Sequence, residues 1–185
     1  YMENKGLLIA NDFLGDRMKP LGLNIQRMGL TNTILTKMYG QWFGKKGIKF
    51  DKILIDAPCS GTGTIRKSVK TLRIWNSTMI TRLSITQKKL LNIGFNILKP
   101  NGTLVYSTCS SEPEENEGVI SYLLENNPNA KLKEINMNLK RSNVILEFNN
   151  EKYNPEVKKC LRLWPQDNNT EGFFVSLIQK NFKNT

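Results

Sequence analysis

DKILIDAPCSGTG, residues Asp51 to Gly63, reads as an apolar β-strand that carries reactive side chains to its carboxyl end. A short apolar run closed by turn residues is consistent with a strand, and Lys52–Ala57 (KILIDA) is closed by Pro58, Gly61 and Gly63. Packing alone does not explain an acid and a thiol, Asp56 and Cys59, at the end of such a run. In open α/β sheets ligands bind beyond the carboxyl ends of the strands, so side chains placed there are presented for chemistry. A second segment repeats the arrangement: Thr103–Thr108 (TLVYST) reads as a strand, and Cys109 follows it. Paired strands lie about 4.8 Å apart, so if these two are neighbours both thiols face one crevice.

Working outward, short apolar runs alternate with longer amphipathic stretches, the pattern of strands joined by crossover helices. Leu7–Asp12 reads as a strand, Arg17–Met28 as a helix stopped by Gly29, and Asn32–Thr36 as a short strand. A basic loop follows Gly63. A helix is expected over Met79–Leu98, ended by the turn signal Lys99-Pro100-Asn101-Gly102. Glu114–Glu125 reads as a helix and Phe173–Gln179 as a last strand, while 136–155 reads as a loop-rich insertion. The fold expected is an α/β, Rossmann-like sheet, with residues 1–185 forming one domain. The glycine-rich turn GxGxxG, which opens the first βα unit of doubly wound folds, does not occur, and the numbering opens on Tyr1 rather than methionine. A first strand and glycine-rich turn are therefore expected upstream. Without them, a slot between the strands ending at Asp12 and Ala57 should leave backbone and apolar surface open.

Composition narrows the chemistry. The 185 residues contain no histidine, which removes Ser-His-Asp and Cys-His nucleophile pairs, histidine metal ligands and any histidine general base. Cys59, Cys109 and Cys160 form no CxxC pair and are odd in number, so neither a disulfide framework nor a zinc cage is expected. No metal is expected, and a reducing, cytoplasmic setting is the one such thiols suit. No apolar run approaches the ~20 residues of a membrane span. The formal charge is +11, and all of the excess lies in residues 1–100, with 17 Lys and Arg against 5 Asp and Glu. Such an imbalance suits a polyanionic partner, because neutralising phosphates releases counterions. Arg66, Lys67, Lys70 and Arg73, with Trp75 behind them, follow Cys59 closely, so cations for RNA phosphates and a ring for a stacked base are expected beside the crevice. Cys160, in KKCLRL, reads as a small buried hydrophobe.

Asp-Ala-Pro-Cys-Ser-Gly at 56–61 together with Tyr-Ser-Thr-Cys-Ser at 106–110 resembles the Sun family of RNA cytosine-C5 methyltransferases, which use S-adenosylmethionine. Further patterns of that family follow in order. They are Ala10-Asn11-Asp12 with Arg17, Asn24-x-x-Arg27-x-Gly29 with Thr31-Asn32, Glu112-x-x-Glu115-Asn116-Glu117, and Arg162-x-x-Pro165 before Thr170-Glu171-Gly172-Phe173-Phe174. The likeness spans nearly the whole chain. It implies a class I methyltransferase sheet and a reaction on tRNA or rRNA.

The resemblance also implies roles. Carbon 5 of cytosine is a poor nucleophile until a thiolate adds to carbon 6, and cysteine is the side chain suited to that addition. In the family this belongs to the Thr-Cys-Ser cysteine, here Cys109, while the Pro-Cys cysteine, here Cys59, serves release of the product. Asp56 can hydrogen-bond the N3/N4 edge of cytosine. Asp12 takes the position that binds the adenosyl ribose, with Arg17 assisting, and Asp56 borders the cofactor as well. Where the family has an acid near the adenine, this chain has Tyr39, in Lys37-Met38-Tyr39-Gly40. An upstream segment or a separate chain is expected to complete the cofactor site.

Two other readings stand beside this one. DNA cytosine-C5 methyltransferases use a Pro-Cys nucleophile followed by Glu-Asn-Val, but here Glu115-Asn116-Glu117 follows the other cysteine. A noncatalytic RNA-binding or assembly subunit with a degenerate methyltransferase fold would account for missing cofactor residues. The retained Asp56, Cys59 and Cys109 argue against it.

Overall fold

The computed structural model describes residues 2–182; Tyr1, on which the expectation of an upstream strand turns, and 183–185 lie outside the described residues. The chain divides into two compact units, one ending at Gly47 and the other beginning at Ile48. Among the described residues no helix is long and apolar enough to cross a membrane.

The first unit is a βαβ crossover. Strand β1 (Leu8–Asp12) runs parallel to β2 (Thr33–Lys37), joined by helix α1 (Gly15–Arg27). The helix is one turn-fraction earlier than its periodicity suggests because Asp12 Oδ1 accepts the Leu14 backbone N–H at 2.8 Å and turns the chain at once. None of the residues of α1 is buried, and Leu23, Met28 and Ile34 stay exposed.

The second unit holds the core. Strand β3 (Phe50–Asp56) leads through a 3₁₀ turn and the short helix α2 (Lys70–Ile74) to α3 (Ser77–Ile97). The basic loop is therefore partly helical. Helix α3 starts where Asn76 Oδ1 caps the Met79 N–H at 2.8 Å, satisfying a donor that the first turn leaves orphaned. Its buried positions, Ile80, Ser84, Gln87, Leu91, Gly94 and Phe95, recur at the three- and four-residue spacing of one helix face.

Strand β4 (Leu98–Thr108) begins directly after α3. The turn expected at 99–102 is instead an irregularity within the strand: the register with β3 shifts from Phe50↔Leu98 to Lys52↔Thr103, and Asn101 takes a left-handed φ of 61°. Helix α4 (Glu117–Asn126) starts three residues later than expected, after a 3₁₀ turn over Pro113–Glu115. Asn116 at the junction has φ −115° and ψ −95°, outside the helical region.

Strand β5 (Ala130–Lys133), the two-residue hairpin of β6 (Glu147–Phe148) and β7 (Glu151–Lys152), strand β8 (Leu161–Leu163) and the single turn α5 (Pro165–Asn168) precede the last strand, β9 (Phe173–Lys180). The sheet order is β3-β4-β9-β5, with β8 also pairing β9; β3 and β4 are parallel, while β9 is antiparallel to its neighbours. β3 is thus a terminal strand of its sheet, and Leu54 on it is 70% exposed.

Alternation sorts the strands. Leu104 and Tyr106 of β4, and Phe174 and Ile178 of β9, are fully buried and meet Leu91 and Phe95 of α3 and Val119, Ile120 and Leu123 of α4 in one cluster. Gly94 lets α3 lie close on the sheet: a Cβ there would stand 2.7 Å from Ile55 Cδ1 and 3.2 Å from Leu104 Cδ1. Gly94→Ala is therefore expected to destabilise the unit by about 1–3 kcal/mol, the usual cost of overpacking, despite the better helix propensity of alanine. Urea unfolding checks this, and Ile55→Val alongside Gly94→Ala should recover part of the loss.

Candidate active site

Asp56 ends β3 and pairs in register with Ser107 near the end of β4. The ladder continues one step further, since the Ala57 N–H donates to Ser107 O at 2.9 Å. Both chains then turn away from the sheet and present Cys59 and Cys109 to each other. The two sulfur atoms lie 3.2 Å apart, and each residue is partly exposed. Neighbouring strands thus bring the two cysteines together beyond the carboxyl ends of β3 and β4.

The contact makes the thiols unequal. One proton between two sulfurs favours one thiol and one thiolate. The Cys59 thiol donating to it holds Cys109 down to about 7, against burial and the nearby Asp56 and Glu115 carboxylates. Cys59 is raised, first by its bond to Cys109 and then by burial. Cys160 is buried away from this pair and pushed up to about 12, chiefly by that burial.

The fully buried Glu115 carboxylate accepts the Ser60 N–H at 3.0 Å, the Ser60 hydroxyl at 2.5 Å, the Ser110 hydroxyl, and Gln87 Nε2 at 2.9 Å. Gln87 Nε2 also donates to Pro58 O at 2.8 Å. One carboxylate therefore fastens the residue after Cys59 to the residue after Cys109. Asn116 braces the second loop from both sides: its Oδ1 accepts the Thr108 hydroxyl at 2.5 Å and its Nδ2 donates to Ser110 O at 2.8 Å.

The carbonyl of Cys109 itself accepts the Gly63 N–H at 2.9 Å, and Gly63 O accepts the Gly172 N–H at 2.8 Å. Three backbones pass here with no room for a side chain. A Cβ on Gly63 would stand 2.4 Å from Gly172 O and 2.7 Å from Cys109 O. Behind them the buried Arg162 donates to Glu117 through Nε at 2.8 Å and Nη2 at 2.5 Å, and to Ser111 O through Nη1 at 3.0 Å. Burying such a charge is costly unless it is paired and hydrogen-bonded, and here both conditions are met.

In the sequence Glu115, Asn116, Glu117 and Arg162 stand out only as motif members. Their work is to hold the backbone on either side of Cys109. Charged residues inside apolar runs, as Arg162 is in CLRLW, are the available signal, because a buried charge needs a partner.

Asp56 is exposed, and Ser107 Oγ lies 3.4 Å from its Oδ1, a long contact that leaves the carboxylate open to another donor. In the first unit, Asp12 stands at the end of β1 with Arg17 Nη1 3.7 Å from its Oδ2. Beside it Phe13 and Tyr39 stack, with ring centroids 5.5 Å apart and planes within 17°. A strand-end carboxylate next to an exposed aromatic pair suits a ribose and an adenine, so these residues fit the adenosyl half of the expected cofactor. Of the four basic residues after Cys59, Arg66 is tied to Asn169 Oδ1 at 2.9 Å and Lys67 lies 3.9 Å from Glu171. Lys70 and Arg73 are exposed and form no ion pair among the described residues.

The sequence model of the family described as 16S rRNA methyltransferase RsmB/F matches residues 1–179. The tRNA (cytosine(49)-C(5))-methyltransferase of Pyrococcus abyssi is 42% identical over 180 residues, which cover 97% of this chain and 58% of that protein. Ribosomal RNA small subunit methyltransferase F of Aeromonas salmonicida is 40% identical over 183 residues, 97% of this chain and 36% of its own length. A crystal structure described as a methyltransferase homolog protein from Pyrococcus horikoshii superposes with a TM-score of 0.83 at 37% identity, covering 97% of this chain and 55% of that one. The chain thus spans from about a third to somewhat over half of the relatives it matches. The sheet has the Rossmann-like methyltransferase architecture expected from the sequence.

Alkylation by iodoacetamide, followed residue by residue, reads the thiol pair directly. Cys109 should react with a midpoint near pH 7, because the thiolate is the reactive form and is present above that value. Cys59 should stay unreactive until much higher pH. In Cys59→Ala the donor is gone while burial and the two carboxylates remain, so the Cys109 midpoint should move upward by one unit or more, on the order of a lost charge-assisted hydrogen bond.

Proposed function

Because the chain belongs to the 16S rRNA methyltransferase RsmB/F family, the Sun family of the sequence reading, we propose that it carries the catalytic domain of an RNA cytosine-C5 methyltransferase. Its methyl donor is S-adenosylmethionine, and its substrate is a cytosine in tRNA or rRNA. The observation that carries the reading is the 3.2 Å contact between Cys59 and Cys109 beyond the ends of β3 and β4.

Cys109 is the nucleophile. With its thiol lowered to about 7, a large fraction is thiolate at neutral pH, where a free cysteine offers only a few per cent. Addition of its sulfur to carbon 6 of cytosine pushes the ring electrons toward N3 and carbon 5. Asp56, exposed at the end of β3, faces the N3/N4 edge and stabilises the charge that develops there. When bound, S-adenosylmethionine supplies an electrophilic methyl group. Asp12 and Arg17 would hold its ribose, with the Phe13 and Tyr39 rings beside the adenine.

Cys59 serves the second half. Its proton is held on chiefly by the bond to the Cys109 sulfur. Once that sulfur is tied up in a carbon–sulfur bond the hold is released; the Cys59 thiol then ionises, passing its proton to solvent, and the thiolate left takes the proton from carbon 5. Loss of that proton restores the double bond and expels Cys109 as thiolate, which again accepts from the Cys59 thiol. No histidine exists to do this instead, so the acceptor is Cys59, a carboxylate or water.

In the longest natural form of the protein, assayed on tRNA and small-subunit rRNA transcripts, Cys109→Ala should lower methylation by about three orders of magnitude or more, as loss of a covalent nucleophile does. Cys59→Ala should accumulate an RNA adduct that survives denaturing gel electrophoresis. Unchanged turnover in Cys109→Ala would remove the assignment. Binding of S-adenosylmethionine separates an enzyme from a noncatalytic subunit.

A further inference from the structure

Next to the cysteine pair lies a cleft of about 530 Å³ that the mechanism leaves unused. Its size is within the ~300–1,000 Å³ range of pockets that take small ligands. Trp75 and Trp164 line it, with Arg66, Gly63, Ser111 and Glu112. None of Asp56, Cys59 or Cys109 does. The cleft wall is nonetheless tied to the site, since the Gly63 N–H donates to the Cys109 carbonyl and Ser111 follows Cys109 by two residues.

Both indoles are fixed in place. Trp75 Nε1 donates to Glu112 Oε1 at 3.0 Å, although the side chain is 48% exposed. Trp164 has the buried Arg162 guanidinium 4.9 Å from its ring centroid, which leaves its other face as a rigid plate backed by a cation. Two immobilised aromatic rings beside a reactive centre are a platform for a planar ligand, because stacking on them costs little ordering. The Arg66 guanidinium at the cleft is turned to Asn169 Oδ1 at 2.9 Å and to the Thr170 carbonyl at 3.3 Å, so the Glu112 carboxylate decides which part of a nucleotide enters. A carboxylate at the cleft repels a phosphate but accepts the N–H donors that base edges carry. Lys70 and Arg73, which form no ion pair among the described residues, are exposed on α2, the element that leads into Trp75, and suit the phosphates outside it.

We infer that this cleft binds the base of a nucleotide adjacent to the target cytosine, stacked on Trp75 or Trp164 and hydrogen-bonded to Glu112. This rests on the RNA methyltransferase reading above and adds a second base site to it. Flipping one base out of a strand unstacks its neighbour, and the cleft gives that neighbour a new partner, so that the target is held by its own pocket and by the base beside it.

The test uses the full-length protein and an RNA substrate carrying a single abasic site at each position within two nucleotides of the target. At one position the wild type should lose about tenfold or more in kcat/KM, the usual worth of a stacked base. Trp164→Ala or Trp75→Ala should produce a comparable loss on intact RNA and little additional loss on the abasic RNA, whereas the corresponding Phe variants should recover most of the activity. Additive losses, or no abasic position that matters, overturn the proposal. If those results come with normal adduct formation by Cys59→Ala, the cleft assignment alone falls. If no RNA forms an adduct, the enzymatic reading falls and takes this one with it.

Discussion

Glu115 is buried without a cationic partner among the described residues, and the geometry of the site depends on it. A lone carboxylate in an apolar interior is expensive unless hydrogen bonds replace its hydration. Here the replacement comes from Ser60 and Gln87 on one side and Ser110 on the other. The demand for donors therefore becomes a positional constraint. The loop after β3 and the loop after β4 must approach each other for the carboxylate to be satisfied, and when they do, the cysteines one residue earlier in each loop meet.

Rigidity is layered around that constraint. Gly63 and Gly172 allow three backbones to cross beside Cys109, Asn116 holds the residues on both sides of it, and the Arg162–Glu117 pair secures Ser111 from behind. The only freedom left at Cys109 is its side chain. Its sulfur lies 3.2 Å from the Cys59 sulfur, and the proton shared between them favours one thiol and one thiolate. A hydrogen bond of this kind lowers a neighbouring thiol, as a histidine does in cysteine enzymes, in a chain that has none.

Much of the sheet is legible from alternation and turn residues: β1, β2, β3, β4 and β9 all lie within one to five residues of where their apolar runs suggest. β5 and β8 are not legible for a shared reason. AKLK and LRL are too short for a period to register, and both exist because β9 offers them an edge. The late start of α4 has another cause. Glu115 and Asn116 read as ordinary helix-start residues, yet their side chains are committed to loops from β3 and β4, and the backbone at Asn116 leaves the helical region to let them reach. The strand irregularity at 99–102 likewise depends on pairing with β3, which local turn propensity cannot see.

Sequence alone determined that an acid and two thiols stand at the carboxyl ends of strands, because strand periodicity and its termination are written in a dozen contiguous residues. It also determined that none of these 185 residues is a histidine. The tertiary structure decided that the two thiols share a proton, because that depends on a 3.2 Å approach between residues fifty positions apart and on a carboxylate fifty-five positions from the serine it anchors. Ionisation follows distance and burial, and those exist only once the strands have paired.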